Sequence, residues 1–304
     1  MTDLTDPIFN DVIAARKRLE SVRWPDGPYC PHCGEASNIR KLKGKSTRPG
    51  VYKCRSCRSP FSVTVGTVFE RSKIPLNKWL LATHLLSASK KGMSAHQLHR
   101  MLNITYKSAW FMMHRLREAM RDDSPAPMGG PGSVVQADET YFGRKKGATR
   151  KRGGAGHKHA IVSLITDGKS RTFHVARADA RTARRILVTN VRRETELHTD
   201  ESRIYTQVGE EYAGHKTVVH TAGQYVGPSG ESTNKVENYF SIFKRGMRGV
   251  YQHCAEKHLQ RYINEFDFRY SNRDLDDFER ATEALKGIAG KRLTYRRTKD
   301  RAHV

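Results

Sequence analysis

VVQADETYF, residues 134–142, is a strand-patterned run that carries an acid near its C-terminal end. Two more strand-like runs follow, HAIVSLIT (159–166) and RTFHVAR (171–177), and Asp167-Gly168 between them is a hairpin turn pair. Beyond these the pattern predicts a helix over 179–190, short strands near 195–199 and 216–220, and closing helices over 233–247 and 256–270. Strands alternating with helices in this way predict an α/β domain over residues 133–272.

Acids stand out in that domain. Asp138 shares a strand face with Val134 and Gln136, and alternation sends Glu139 to the opposite face, so only one of the two acids is expected in a common site. Asp200, in ELHTDESRIY (196–205), ends the next strand-like segment after Leu197 and is expected to start a helix. Acids at strand ends of an α/β sheet lie where such folds place their chemistry. Glu237, in NKVENYFSIFKRG (234–246), is on a helix whose apolar stripe is Val236, Tyr239, Phe240, Phe243 and Met247. Ser241, Lys244 and Arg248 share its other face, so one carboxylate would stand beside two cations. Glu139, Glu201, Glu211 and Asp267 are spare acids, with Asp267 expected at the surface of the core helix containing Leu259, Tyr262, Ile263, Phe266 and Tyr270. The pattern alone leaves the third acid open between Glu237 and a neighbour.

The acids are set in a very basic chain of 304 residues, with 55 Lys and Arg against 31 Asp and Glu and a net charge of +24. That balance points to a nucleic-acid partner. A small acidic pocket on a basic surface suits metal-assisted phosphodiester chemistry, with carboxylates holding divalent cations and Lys and Arg holding DNA. No apolar run approaches the length of a membrane span, and the N-terminal segment lacks a signal-peptide core. A cytosolic location without membrane contact is therefore expected, where paired cysteines are metal ligands more often than disulfides.

Cys30 and Cys33 form one CxxC pair and Cys54 and Cys57 a second, with 20 residues between them. Two such knuckles can close a tetrahedron around a structural zinc ion, which predicts a zinc ribbon over 26–66. Cys254 stands apart and reads as a packed thiol. A helix over 1–25 is expected to start at Thr5 or Asp6, with Ile8, Val12, Ile13 and Leu19 on its apolar face. Residues 70–121 read as a helix-turn-helix-like DNA-binding module: Ser94 and Gln97 suggest a capping box, Asn103-Ile104 a turn, and Thr105 a cap. Its last helix would offer Tyr106, Lys107 and Ser108 to a DNA groove while Trp110, Met113 and Leu116 pack inward. DDSPAPMGGPG (122–132) reads as a linker, and 273–304 as a basic C-terminal tail.

Taken in order, the zinc ribbon, the helical module, ADETYFG, HTDESRIY, NKVENYFSIFKRGMRGVY and HLQRYINEFDFRYSNR resemble the zinc-ribbon DDE transposases of bacterial insertion sequences, the ISXO-like group, over about residues 21–273. The resemblance implies a ribonuclease H-like catalytic domain with a mixed sheet. It carries the first acid onto Asp138, the second onto Asp200 and the third onto Glu237, with Asn234 in the family's N-x-x-E segment. It implies Mg²⁺ or Mn²⁺ at those acids and double-stranded DNA as partner, both terminal inverted repeats and target. Water would free a 3′-hydroxyl at the element end, and that hydroxyl would attack target DNA without a covalent protein–DNA adduct. His198, His220 and Lys244 would contact the scissile phosphate, and the run GRKKGATRKRGGAGHK (143–158) would grip DNA. Pairing two ends demands at least a homodimer. The competing readings are a zinc-ribbon transcription regulator, a metal-dependent nuclease that cuts without joining, and a serine or tyrosine recombinase.

Overall fold

The computed structural model describes residues 3–149, 155–219 and 230–294. The chain forms two compact units, residues 1–121 with 275–304, and residues 122–274.

In the first unit, Asp6 accepts the Ile8 N–H (2.9 Å) and starts α1 (Pro7–Asn10). Asp11 then breaks the run and caps α2 (Val12–Arg23) through the N–H groups of Ile13 and Ala14. The break shifts the helical phase. Phe9, Ala15 and Leu19 are buried, whereas Val12 and Ile13, expected on the apolar face, are exposed. Strands β1 (Ile39–Lys41), β2 (Val51–Cys54) and β3 (Pro60–Ser62) form a small antiparallel sheet. Trp24 meets Tyr29, Tyr52 and Phe61 edge-on, so an aromatic cluster serves as the core of this small module. Helices α3 (Leu76–Ala88), α4 (Ala95–Leu102) and α5 (Tyr106–Ala119) follow. The Ser94 and Thr105 hydroxyls accept the N–H groups of Gln97 and Ser108, and Asn103 ends α4 in the left-handed region. Met113 and Leu116 are buried, while Trp110 is half-buried against His114.

The second unit contains β4 (Val134–Phe142), β5 (His159–Thr166), β6 (Lys169–Val175), α6 (Ala180–Asn190), β7 (Glu196–Asp200), α7 (Thr206–Gly209), β8 (Gly214–Val218), α8 (Asn234–Gly246) and α9 (Glu256–Ser271). A π-helical turn, Met247–Tyr251, extends α8. The sheet is mixed, in the order β6-β5-β4-β7-β8. β4, β5 and β6 are mutually antiparallel, while β7 lies parallel to β4 and β8 parallel to β7. One face packs Val135, Ala137, Val162, Leu164 and Leu197 against α6. The other packs Ile161 and Ile165 against the expected stripe of α8 and the aromatic side of α9. Each fully buried aliphatic or aromatic side chain contributes about 1.5–3 kcal/mol.

Helix α9 also shields the free edge of β6. Asp267 accepts the Thr172 N–H (2.9 Å), Gln260 bonds both the His174 N–H and the Thr172 carbonyl, and the Ser271 hydroxyl accepts the Ser170 N–H. An edge strand is thereby kept from pairing with another chain. Asp267 is thus not the surface acid that its neighbours suggest. It faces inward onto β6, where burial raises its pKa.

Two stretches read as loose are built into the units. Residues 122–132 are packed at the sheet end: Met128 is buried, its N–H donates to Asn190 O (2.7 Å), and Arg171 donates to Ala126 O. Gly129 has φ +77°, and a Cβ there would stand 2.3 Å from Thr195 Oγ1, so only glycine lets the chain pass. Past residue 274 the chain forms α10 (Asp277–Lys286) in the first unit. Asp276 and Glu279 make a reciprocal capping box. Arg18 donates to Thr282 Oγ1 (2.8 Å) and lies over the Phe278 ring, while the Ile288 carbonyl accepts the Val68 N–H. The basic residues of the expected tail begin only at the end of this helix, and residues 295–304 lie outside the described residues.

On α9, Glu265 is fully buried and pairs with Arg269 and the Tyr251 hydroxyl. Removing one partner leaves a buried charge uncompensated. Glu265→Ala is expected to destabilise this unit by about 3–5 kcal/mol, read from the urea midpoint, and a joint Glu265→Leu/Arg269→Met exchange by far less.

Candidate active site and metal centres

The acidic site starts from strand register. β4 and β7 pair in parallel from Val134–Glu196 to Ala137–Thr199, and their next residues are Asp138 and Asp200. β7 stops there. Asp200 Oδ1 accepts the Ser202 N–H (3.1 Å), so the acid closes a turn instead of starting the helix expected of it. Where β7 has ended, the side of β4 is open to side chains from both faces. Asp138, Glu139 and Asp200 each bring a carboxylate oxygen within 4.8 Å of the others. Alternation of faces therefore does not exclude Glu139. Its longer side chain reaches the gap, one oxygen accepting from the Ser202 hydroxyl (3.4 Å) and the other buried without a hydrogen bond.

Glu237 enters from α8. The N-cap residue Thr233 makes no side-chain cap bond; Gln136 of β4 accepts the N–H groups of Lys235 (2.9 Å) and Val236 (3.2 Å) in its place. Gln136 thus fixes the first turn, which carries Glu237, two strand residues from Asp138. Thr233 donates to Glu237 Oε1 (3.0 Å). A further chain of bonds runs from Gln136 to the Ser232 hydroxyl, from the Ser232 N–H to His198 Nδ1, and from His198 Nε2 to Glu196. Both ring nitrogens of His198 serve this scaffold. His220 lies outside the described residues.

Burial, then the charges of Asp200 and Glu139, push the Asp138 carboxyl up to about 8; Glu237 adds to the rise and the Glu139 N–H opposes it. Glu139 is raised by burial and by Asp200. Burial and the same acids keep the Tyr205 phenol protonated, well above its ordinary value. Lys244 is lowered by burial, Arg248 and Lys158, while Asp138 pulls it upward. Lys244 of α8 is therefore in electrostatic reach of Asp138, with Arg248 of the π-helical turn and Lys158 in reach of Lys244. Acids that raise one another's pKa, with one oxygen lacking a hydrogen bond, fit a divalent cation of oxygen-binding type. Asp138, Glu139 and Asp200 could hold it, with Glu237 beside them.

The four cysteines also converge. Sγ of Cys30 lies 3.6 Å from that of Cys57, and Cys33 Sγ 3.7 Å from that of Cys54. A disulfide needs about 2.05 Å, whereas the edge of a zinc–thiolate tetrahedron is about 3.8 Å. The Ser59 N–H and hydroxyl draw the Cys57 thiol down to about 6, which favours the thiolate. Cys254 stands apart from the set. At the start of α5, Tyr106 and Lys107 are exposed, with Tyr106 stacked on His96 at 4.2 Å, while Ser108 serves the Thr105 cap.

Residues 129–271 match the ISXO2-like transposase domain, and residues 13–59 match the transposase zinc-ribbon domain. A protein in the transposable element ISH50 of Halobacterium salinarum is 31% identical over 277 residues, covering 84% of this chain and 89% of that protein. The chain belongs to the ISXO2-like transposase family. The zinc-ribbon match lies on the four-cysteine cluster, and the transposase-domain match contains all the converging acids. Among the described residues no helix is long and apolar enough to cross a membrane.

The acid cluster makes metal binding pH-dependent. Asp138 has its folded pKa above the unfolded value, so from about pH 4 to about pH 8 the unfolded chain releases a proton that the metal-free fold keeps. Metal-free stability should fall across that window, and Asp138→Asn should flatten the slope. A cation must displace the same proton, so Mn²⁺ affinity in calorimetry should rise about tenfold per pH unit up to about pH 8 and lose that dependence in the variant. At the cysteines, Cys54→Ser is expected to remove one equivalent of bound zinc and, by circular dichroism, to unfold the ribbon without affecting the acidic unit.

Proposed function

We propose that this protein is a DNA transposase that binds the terminal inverted repeats of its own insertion sequence, cleaves at the element ends and transfers the freed strands into target DNA. The carrying observation is the convergence of Asp138 and Asp200 where β7 ends beside the middle of β4, in electrostatic reach of Glu237 and of Lys244. The strand order, three antiparallel strands extended by two parallel ones, supports a ribonuclease H-like catalytic domain. Helices α4 and α5, joined across Asn103, support a helix-turn-helix reading in which Tyr106, Lys107 and Ser108 meet a groove beside the zinc ribbon's DNA contacts. DNA in the cytosol is then the partner, and two chains pair two ends.

Bound Mg²⁺ or Mn²⁺ would activate the attacking oxygen and stabilise the leaving oxygen. Asp138, Asp200 and Glu237 would hold the cations. Gln136 positions the helix that carries Glu237. Lys244, Arg248 and Lys158 hold the phosphates. Glu139 is the second reading for the third acid, favoured by its place in the tight cluster.

A joining assay tests these assignments, with purified protein, Mg²⁺ and a plasmid carrying the native flanking DNA. Wild type should give joined products, and Asp200→Asn should lose about 10³-fold or more. Loss in Glu237→Gln with retention in Glu139→Gln assigns the third acid to Glu237; the reverse assigns it to Glu139. Cleavage without joining would make the protein a nuclease, and binding without cleavage a regulator.

A further inference from the structure

A second cluster of metal-binding side chains lies in the same unit, away from the acids. His159 opens β5, His174 is near the end of β6 and Glu256 opens α9. Register brings them together: Ile161 pairs with His174, so His159 and His174 are diagonal neighbours on the face that α9 covers. Their rings meet edge to face at 5.3 Å. Glu256 Oε1 lies 3.7 Å from His159 Nδ1 and 3.9 Å from His174 Nε2, and the three donor atoms lie within 4.8 Å of one another.

His159 is only 6% exposed, and its Nδ1 makes no hydrogen bond. A buried ring nitrogen without a bond calls for an explanation. We propose that His159, His174 and Glu256 form a site for a zinc-class transition-metal ion. Two imidazole nitrogens and one carboxylate suit zinc, cobalt or nickel and disfavour magnesium. Donors around a tetrahedral zinc stand about 3.3 Å apart. Glu256, with 56% of its side chain exposed, closes on each ring by a few tenths of an ångström through rotation, and the two ring nitrogens stand within 4.8 Å of each other. One coordination position remains for water.

The site is separate from the acid cluster. His159 pairs with Phe142, and Ser163 pairs with Asp138, four residues further along β5 and so about 13 Å away. Its place suggests its purpose. The basic 143–158 run ends at His159, its stem closed by the Lys145 N–H to the His157 carbonyl (2.8 Å) and tied just past the end of β6 by Lys145 Nζ to the Ala176 carbonyl (3.1 Å). The first turn of α9 has no side-chain cap. A metal here joins β5, β6 and α9 where that run leaves the sheet, and fixes the base of a DNA-gripping segment.

The test is a Co²⁺ titration of the full chain in millimolar Mg²⁺, which occupies the carboxylate cluster, beside a His174→Gln/Glu256→Gln variant and Glu256→Gln alone. Circular dichroism confirms that each is folded. Wild type should bind one equivalent more than the double variant, that equivalent lacking the sulfur charge-transfer band of the cysteine site. Glu256→Gln, at an exposed position, should weaken it about tenfold or more. Equal binding by wild type and double variant, or unchanged affinity in Glu256→Gln, would overturn the proposal. Then His159 and His174 would only form an ion-pair cluster with Glu256.

Discussion

Parallel pairing of β4 with β7 brings Asp138 and Asp200 side by side, and the rest of the second unit answers to that contact. Two carboxylates on neighbouring strands, one mid-strand and one at the end of β7, repel each other, and Glu139 adds a third. Burial and that repulsion raise the Asp138 carboxyl well above the ordinary carboxylate range, and Lys244 of α8 stands close enough to feel its charge. The cluster is thus poised for a divalent ion, at a cost carried by the surrounding core.

That core is two-sided. Aliphatic residues of β4, β5 and β7 pack on α6, and isoleucines of β5 pack on the aromatic faces of α8 and α9. Between them Gln136 uses its amide to replace the missing cap of α8. One side chain on β4 thereby links the strand bearing the first acid to the helix bearing Glu237. Helix α9 closes the free edge of β6 with side-chain hydrogen bonds, and His159, His174 and Glu256 meet where that helix begins.

The first unit is stabilised differently. Its ribbon is too small for a large aliphatic core, and rests on four converging sulfurs and an aromatic cluster around Trp24. The return of the chain as α10 adds packing against α3 and hydrogen bonds to the segment after the ribbon.

Much of this was legible in the residues. The cysteine spacing, the strand runs, the Asp167-Gly168 turn and the apolar stripe of α8 are local periodicities, and local geometry enforces them. The capping box at Asp276 and Glu279 was equally local, and a reading by charge passed over it. Convergence was not legible. Alternation argued against Glu139 because it cannot reveal where the neighbouring strand stops. The 122–132 segment has loop composition, yet a glycine packed against Thr195 and hydrogen bonds to Asn190 and Arg171 fasten it to the sheet. Gln136 as a cap on α8, and the approach of Glu256 to His159 and His174, join residues about 80 to 100 positions apart. The sequence by itself determined which elements form and which side chains carry metal-binding chemistry, because those are set by neighbours along the chain. Only the tertiary structure decided which of those side chains share a site, because that depends on strand register and on where each strand ends.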